Sequence, residues 1–321
     1  MTNIVHEDKF FNTDKKLEYI SNHKRGTQKN LERIFKIAQP SESDLNKDIY
    51  DFTRSELRNL FFTFMASTPS ASKSIVLYVS GYIDWAIEKG YAKGSNPLDS
   101  VDVNWKTQFV VKPEKIFWTD KEIKQMLNKI VNAQVAVVFY APFLGIRGAE
   151  NAEIVNLKQK DVDADKLTAK LIDADNSTRI INVDHEFIRL CQQAVKENEF
   201  IKSNGNPDKD VRSETANLIE NEFIVRSVDV GVKNVNEADG TIVYRRFKTV
   251  VDFFDEARLT PTTIMYSGIL AKAKDLYLED KLDDEGYKLI AEQFNLNAAT
   301  LRRYKDDFLN IETIKELYEL S

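Results

Sequence analysis

One cysteine and three histidines in 321 residues leave this chain without the means for an internal disulfide or a zinc site of the usual ligand spacing. Cys191 lies among Phe187, Leu190, Ala194 and Val195 and reads as a small buried hydrophobe. His6, His23 and His185 are far apart, so neither a metal nor a cofactor is expected. No apolar run approaches the ~20 residues of a membrane-spanning helix, and the mixed, charged opening from Met1 to Phe10 lacks a secretory signal. A soluble, cytoplasmic protein with no membrane partner is the expectation. A net charge of −6 argues against an indiscriminate nucleic-acid coater, which is basic overall.

Local basic clusters survive within that acidic balance. They are Lys15-Lys16, Lys24-Arg25 with Lys29 and Arg33, Arg245-Arg246 with Lys248, and Arg302-Arg303 with Lys305. Each alone reads as ordinary solvated helix surface; their meaning depends on where the fold puts them.

The length and an apolar content of 42% suit two domains with a core each. The first reads as all-helical. A helix over about Lys24 to Ile37 is expected to stop before Gln39-Pro40. Thr53-Arg-Ser-Glu56 is a capping-box pattern ahead of Leu57, Leu60, Phe61, Phe64 and Met65 on one face. Another helix opens near Ser70-Ala-Ser-Lys73, carries an apolar face from Ile75 to Ile87 and stops at Gly90; Asn96-Pro97 then makes a turn. Lys112-Pro113-Glu114-Lys115 interrupts helix and favours solvent, so domains are assigned to residues 1–111 and 117–321 with a hinge at 112–116. A second capping box, Thr119-Asp-Lys-Glu122, precedes a stripe of Ile123, Met126, Leu127, Ile130 and Val131. Val135 to Leu144 is continuously apolar, and periodicity alone leaves helix and strand open. Alternation at 167–171 and again at 179–183, across a polar turn, predicts a β-hairpin. Residues 198–221 read as a long exposed loop with a short helix at its end, and helices return from Tyr244.

Several motifs then occur in order: Gly145-Ile-Arg147, Glu153-Ile-Val-Asn-Leu157, Asp161-Val-Asp163, the hairpin, Thr260-Pro261 and Tyr304. This order resembles the tyrosine recombinase (phage integrase) family over nearly the whole chain. The resemblance implies a mainly α fold with a small β-hairpin or sheet, in which a helical core-binding domain precedes a catalytic-type domain, and it favours a helix for 135–144. In that family a tyrosine hydroxyl attacks a DNA phosphodiester while two arginines, a hairpin lysine and histidines or a tryptophan hold the phosphate oxygens.

Carried over residue by residue, Arg147 matches the first arginine and Tyr304 the nucleophile. Residues 148–150 are an apparent three-residue insertion that one helical turn would absorb. At the His-x-x-Arg-His motif, Thr262 replaces the first histidine, Met265 the arginine and Tyr266 the last histidine; Phe294-Asn295 stands where Gly-His or Gly-Trp would fall. The hairpin turn has no lysine, leaving Lys170 or Arg179 nearby. A methionine carries no charge to grip phosphate, and a tyrosine of ordinary pKa, ~10, is a poor nucleophile without its cage. Arg147 and Tyr304 are thus expected to be vestigial as catalytic groups, the departures resembling the non-cleaving branch of the family that represses phage genes in lysogeny.

The function expected is sequence-specific binding of a double-stranded operator as a transcriptional repressor, with Lys73, Arg147, Arg179, Arg245, Arg246, Lys248, Arg302 and Arg303 as DNA contacts. The stretch from Glu285 to Tyr304 also resembles a helix-turn-helix with Arg302 and Arg303 on its second helix. The amphipathic tail Ile311 to Tyr318 docks either on a neighbouring protomer, giving a homo-oligomer, or on its own domain. An antirepressor protein or peptide is a further expected partner. Two other readings compete: an active recombinase using Tyr304, with Thr262, Tyr266, Lys272 or Lys274 compensating, and a protein-interaction module without DNA binding.

Overall fold

The computed structural model describes residues 10–111, 115–206, 213–231 and 236–320. Lys112, Pro113 and Glu114 of the expected hinge lie outside the described residues. The chain divides into two compact units, Met1–Glu114 and Lys115–Ser321.

The first unit is built from α1 (Thr13–Ser21), α2 (Arg25–Leu45), α3 (Arg54–Thr63), α4 (Pro69–Glu88) and the short α5 (Val103–Thr107). Local signals start them as the sequence indicates. Thr53 and Glu56 cap α3 reciprocally, and Thr68 accepts from the Ala71 amide with Pro69 at the first position of α4. Gly90, at φ +74°, ends the excursion of α4. Leu31, Phe35, Leu57, Val76, Val79 and Ile83 are among the side chains that fill the core.

Three expectations fail here. The helix expected to end near Ile37 continues through Pro40 to Leu45, although an interior proline typically costs about 3 kcal/mol. The reason is electrostatic: the extra turns carry Glu42 to Lys16, which is wholly buried rather than part of a basic face. The Lys16 ammonium donates to Glu42 Oε1 at 2.5 Å and to the Phe11 carbonyl at 2.8 Å, with Asp48 Oδ2 3.6 Å away. Met65 lies beyond the end of α3 at φ +48° and is 62% exposed, so the apolar stripe stops at Phe64.

The second unit opens with α6 (Asp120–Leu127), capped reciprocally by Thr119 and Glu122. It is shorter than the apolar stripe suggested. Asn204 accepts from the Val131 amide at 2.8 Å and donates to the Lys129 carbonyl at 2.9 Å, drawing residues 129–131 out of the helix and leaving Val131 half exposed. The apolar run is helical: α7 (Ala133–Tyr140) is buried on every side and ends in a 3-10 turn, Ala141–Leu144. After α8 (Ala152–Val155) come β1 (Val162–Asp163), β2 (Thr168–Ile172) and β3 (Thr178–Asn182), an antiparallel sheet in that order. Ala169 pairs with Ile181 facing the core, while Lys170 and Ile180 pair on the outer face. Next is α9 (His185–Lys196), where Cys191 is buried and its thiol pKa is pushed up by desolvation.

The stretch expected as loop plus helix instead contains the antiparallel pair β4 (Glu199–Ile201) and β5 (Thr215–Asn217). Asn132 fixes one strand by bonding both the amide and the carbonyl of Ile201 at 2.8 Å. Pro207 lies outside the described residues. The remainder is α10 (Thr241–Phe254), α11 (Pro261–Leu278), α12 (Asp284–Gln293), α13 (Ala298–Asp307) and α14 (Ile311–Tyr318). The tail helix α14 docks at home: Ile314 is wholly buried in the cluster formed with Ile269, Leu270 and Phe308, and Lys274 sits over the Tyr318 ring. Of the two dockings open to the tail, the structure shows the one on its own domain. No helix among the described residues is long and apolar enough to cross a membrane.

The buried charges of the first unit yield a test. Burial raises the Glu42 carboxyl to about 7, with Lys16 opposing and Asp48 reinforcing the shift. A raised carboxyl contributes stability that is complete below its ordinary range and is lost as pH rises through its folded value. Denaturant unfolding should show this unit weakening as the pH rises from 5 to 8, and Glu42→Gln should flatten the profile. Lys16→Met, which strands a buried carboxylate, should lower stability by about 3–5 kcal/mol. An unchanged midpoint in Lys16→Met would refute the assignment.

Candidate nucleic-acid interface

Arg147 reaches its place through a tight turn. Gly145 adopts φ +89°, and a Cβ there would come within 2.5 Å of the Gln293 carbonyl, so only glycine fits. Ile146 then turns into the core and Arg147 into a cleft of about 280 Å³. Opposite, Thr260 and Thr263 cap α11 reciprocally, with Pro261 at its first position and Thr262 at its second. The guanidinium of Arg147 donates to Thr262 Oγ1 at 3.1 Å. Two motif positions far apart in sequence thus meet, with a hydroxyl where a histidine was expected.

Met265, one turn on, is buried and lines the cleft with an apolar thioether. Tyr266 turns away from the cleft lining, its ring edge-to-face with Tyr304 at 5.1 Å and tilted against Phe308 at 4.6 Å. Burial, with Tyr304 beside it, raises its pKa. Tyr304 is itself 5% exposed, its ring 5.1 Å from Phe308. Lys274 is paired with Asp120 and Asp275 at 3.6 and 3.1 Å, remote from the cleft lining.

The insertion is not absorbed as a helical turn. Gly148, Glu150 and Asn151 all have positive φ, and α8 starts only at Ala152. Asp173 of the hairpin turn draws this loop across by accepting from the Ala149 amide at 2.7 Å. A Cβ on Gly148 would meet Asp173 Oδ1 at 2.6 Å. Glu150 and Asp173 place two carboxylates on the cleft wall beside Arg147.

Comparison with known proteins bears on this arrangement. Residues 117–319 match the family model described as MrpR, C-terminal catalytic domain, and residues 10–88 match MrpR, N-terminal core-binding domain. This chain belongs to the MrpR family. Along 315 residues it is 27% identical to the SPbeta prophage-derived protein YopR of Bacillus subtilis (strain 168), covering 96% of each chain. It is also similar to the Tn1549 transposon integrase in complex with a circular intermediate DNA, at 13% identity and a TM-score of 0.53, covering 97% of this chain and 99% of that one. The lambda integrase dimer bound to a COC' core site gives 10% identity and a TM-score of 0.53, with 92% and 93% covered. The likeness to these two structures establishes the tyrosine recombinase fold.

In this MrpR-family chain two of the expected DNA contacts prove to be internal. Arg179 donates to Glu153 through Nε and Nη2 at 2.6 and 2.8 Å, to the Gln293 carbonyl at 2.9 Å and to the Gly145 carbonyl at 2.6 Å. Its charge is neutralised by Glu153, and four of its five N–H donors are used within the unit. Arg246 is 4% exposed and donates to the backbone of Gln134 and Arg226 at 2.5 Å, and burial lowers its pKa to about 9. Arg246 is shut away from any ligand, and Arg179 meets the cleft as a paired, structural group. Lys73 on the second turn of α4 and Arg245, Lys248, Arg302 and Arg303 in the second unit remain exposed, although Lys248 is paired with Asp252 at 2.8 Å. Sequence reasoning missed Tyr244, which is 52% exposed on α10 and lines the cleft; a lone tyrosine in an amphipathic helix carries no signal of that position.

Arg179→Met should lower the stability of the second unit by about 3–5 kcal/mol, because Glu153 is left buried and unpaired. Arg245→Ala should shift it by less than ~0.5 kcal/mol. Denaturant melts of the two variants reading alike would contradict this division.

Proposed function

We propose that this protein binds double-stranded DNA in a sequence-specific manner without cutting it, and that it acts in the bacterial cytoplasm as a transcriptional repressor maintaining phage lysogeny. The observation that carries the reading is the cleft itself. Arg147 still points into it and can anchor a phosphate, yet the second cation is replaced by Met265 and the tyrosine by a buried ring packed on Tyr266 and Phe308. Removing an arginine that neutralises the transition state of phosphoryl transfer forfeits roughly 10³ or more in rate. Binding makes no such demand, since one guanidinium and a few surface cations suffice to position a duplex. The DNA-bound state of the fold relatives and the prophage origin of the YopR relative support a role on phage DNA.

The test is a gel shift on fragments around the protein's own gene, each sample run native and after SDS. A salt-sensitive native shift that vanishes in SDS is expected, with Tyr304→Phe binding as the wild type does. Arg147→Ala should weaken binding on all sequences and reduce the slope of log K against log salt by about one. An SDS-resistant band that is lost in Tyr304→Phe would overturn the reading in favour of an active recombinase. No shift even at low salt would leave an interaction module.

A further inference from the structure

The helix pair α12 and α13 has a free outer face that the anchoring of phosphate at Arg147 does not use. Four residues, 294–297, separate the helices; Asn295 takes φ +51° and Asn297 caps α13 through the Thr300 amide at 2.8 Å. The inner face holds Ile290, Phe294, Tyr304 and Phe308 in one cluster. Outward, Ala298, Ala299, Arg302 and Arg303 are all exposed and share one side of the helix. Two alanines in the first turn let the backbone come close to a surface, and two guanidiniums extend past them. From Ala298 to Lys305 the helix carries no carboxylate; acids begin at Asp306.

The two arginines are not equivalent. Arg303 lies over the ring of Tyr304, its guanidinium carbon 5.1 Å from the centroid, which limits its reach. Arg302 has no carboxylate partner among the described residues. The turn leading into α13 is also continuous with the Arg147 cleft, because Asn295 and Leu296 line it. A phosphate held at Arg147 would therefore lie beside the exposed start of α13, on one surface of one unit.

We propose that α13 is the base-reading helix of this protein, entering the major groove with Arg302 on a guanine edge and Arg303 on an adjacent phosphate. This rests on the DNA-binding reading above. An α-helix of ~10–12 Å diameter matches a major groove ~12 Å wide, and arginine presents two donors to guanine O6 and N7. The ring of Tyr304 then acts as a platform for Arg303, a use that needs the aromatic face and not the hydroxyl.

The experiment is selection of bound sequences from a randomised duplex library by the full chain, followed by affinities for the selected site and for single-base changes in it. Arg302→Ala should erase the preference at one or two guanine positions, a roughly tenfold to hundredfold loss of discrimination there, while affinity for unrelated DNA hardly changes. Arg303→Ala should weaken binding evenly and lower the salt slope by about one. Both side chains are exposed, so circular dichroism and thermal melts should match the wild type. Even loss on all sequences in Arg302→Ala, or no loss at all, would overturn the assignment while leaving DNA binding by the wild type intact. A wild type that selects no sequence would sink the function proposed above as well.

Discussion

The second unit depends on one ion pair. Glu153 on α8 and Arg179 on β3 make a two-point contact, and each bonds further: Glu153 accepts from the Arg147 amide at 2.9 Å, and Arg179 donates to carbonyls of Gly145 and Gln293. Three segments that are distant in sequence, around residues 145–153, 179 and 293, are thereby fixed about one buried ion pair. Arg147 owes its aim to this knot, as does the end of α12 from which the turn to α13 departs. Gln293 reinforces it from the other side, donating to the carbonyls of Leu144 and Asn182. In a medium of low dielectric such an arrangement is strong when its donors are matched, and here four of the five N–H groups of Arg179 have partners.

The same principle runs through both units. Lys16, Arg226 and Arg246 are buried cations whose surroundings are dominated by backbone carbonyls and a single nearby carboxylate or two. Each belongs to a stretch that looks like basic surface or ordinary polar chain when read linearly. In the pairs Lys15-Lys16 and Arg245-Arg246 one member faces inward and the other outward, as neighbours on a helix do. A count of basic residues therefore overstates the positive surface of this protein.

Much of the fold was legible because its signals are local. The capping boxes at Thr53 and Thr119 work over three residues, and the alternation in β2 and β3 marks the hairpin directly. The passage of α2 through Pro40 was not legible, because the compensation comes from Lys16, on another helix. The β4–β5 pair was hidden for a similar reason: its strands are short, polar and secured by Asn132. At the site, the family frame gave Arg147 and Thr262 as two positions of one motif set, and the structure brings their side chains together. The roles of Arg179 and Arg246 depend on carbonyls of residues 20 to 114 positions away, which no short window of sequence displays.

The hydrogen bond from Arg147 to Thr262 has a consequence for conditions inside a cell. A histidine at this position would change charge between about pH 5 and 8, whereas a threonine hydroxyl does not ionise there. No histidine lines the cleft, where the Arg147 guanidinium shares the wall with the carboxylates of Glu150 and Asp173. The switch of charge that a histidine would bring to this position is therefore absent, and a signal that alters what the cleft holds has to act other than by titrating residue 262.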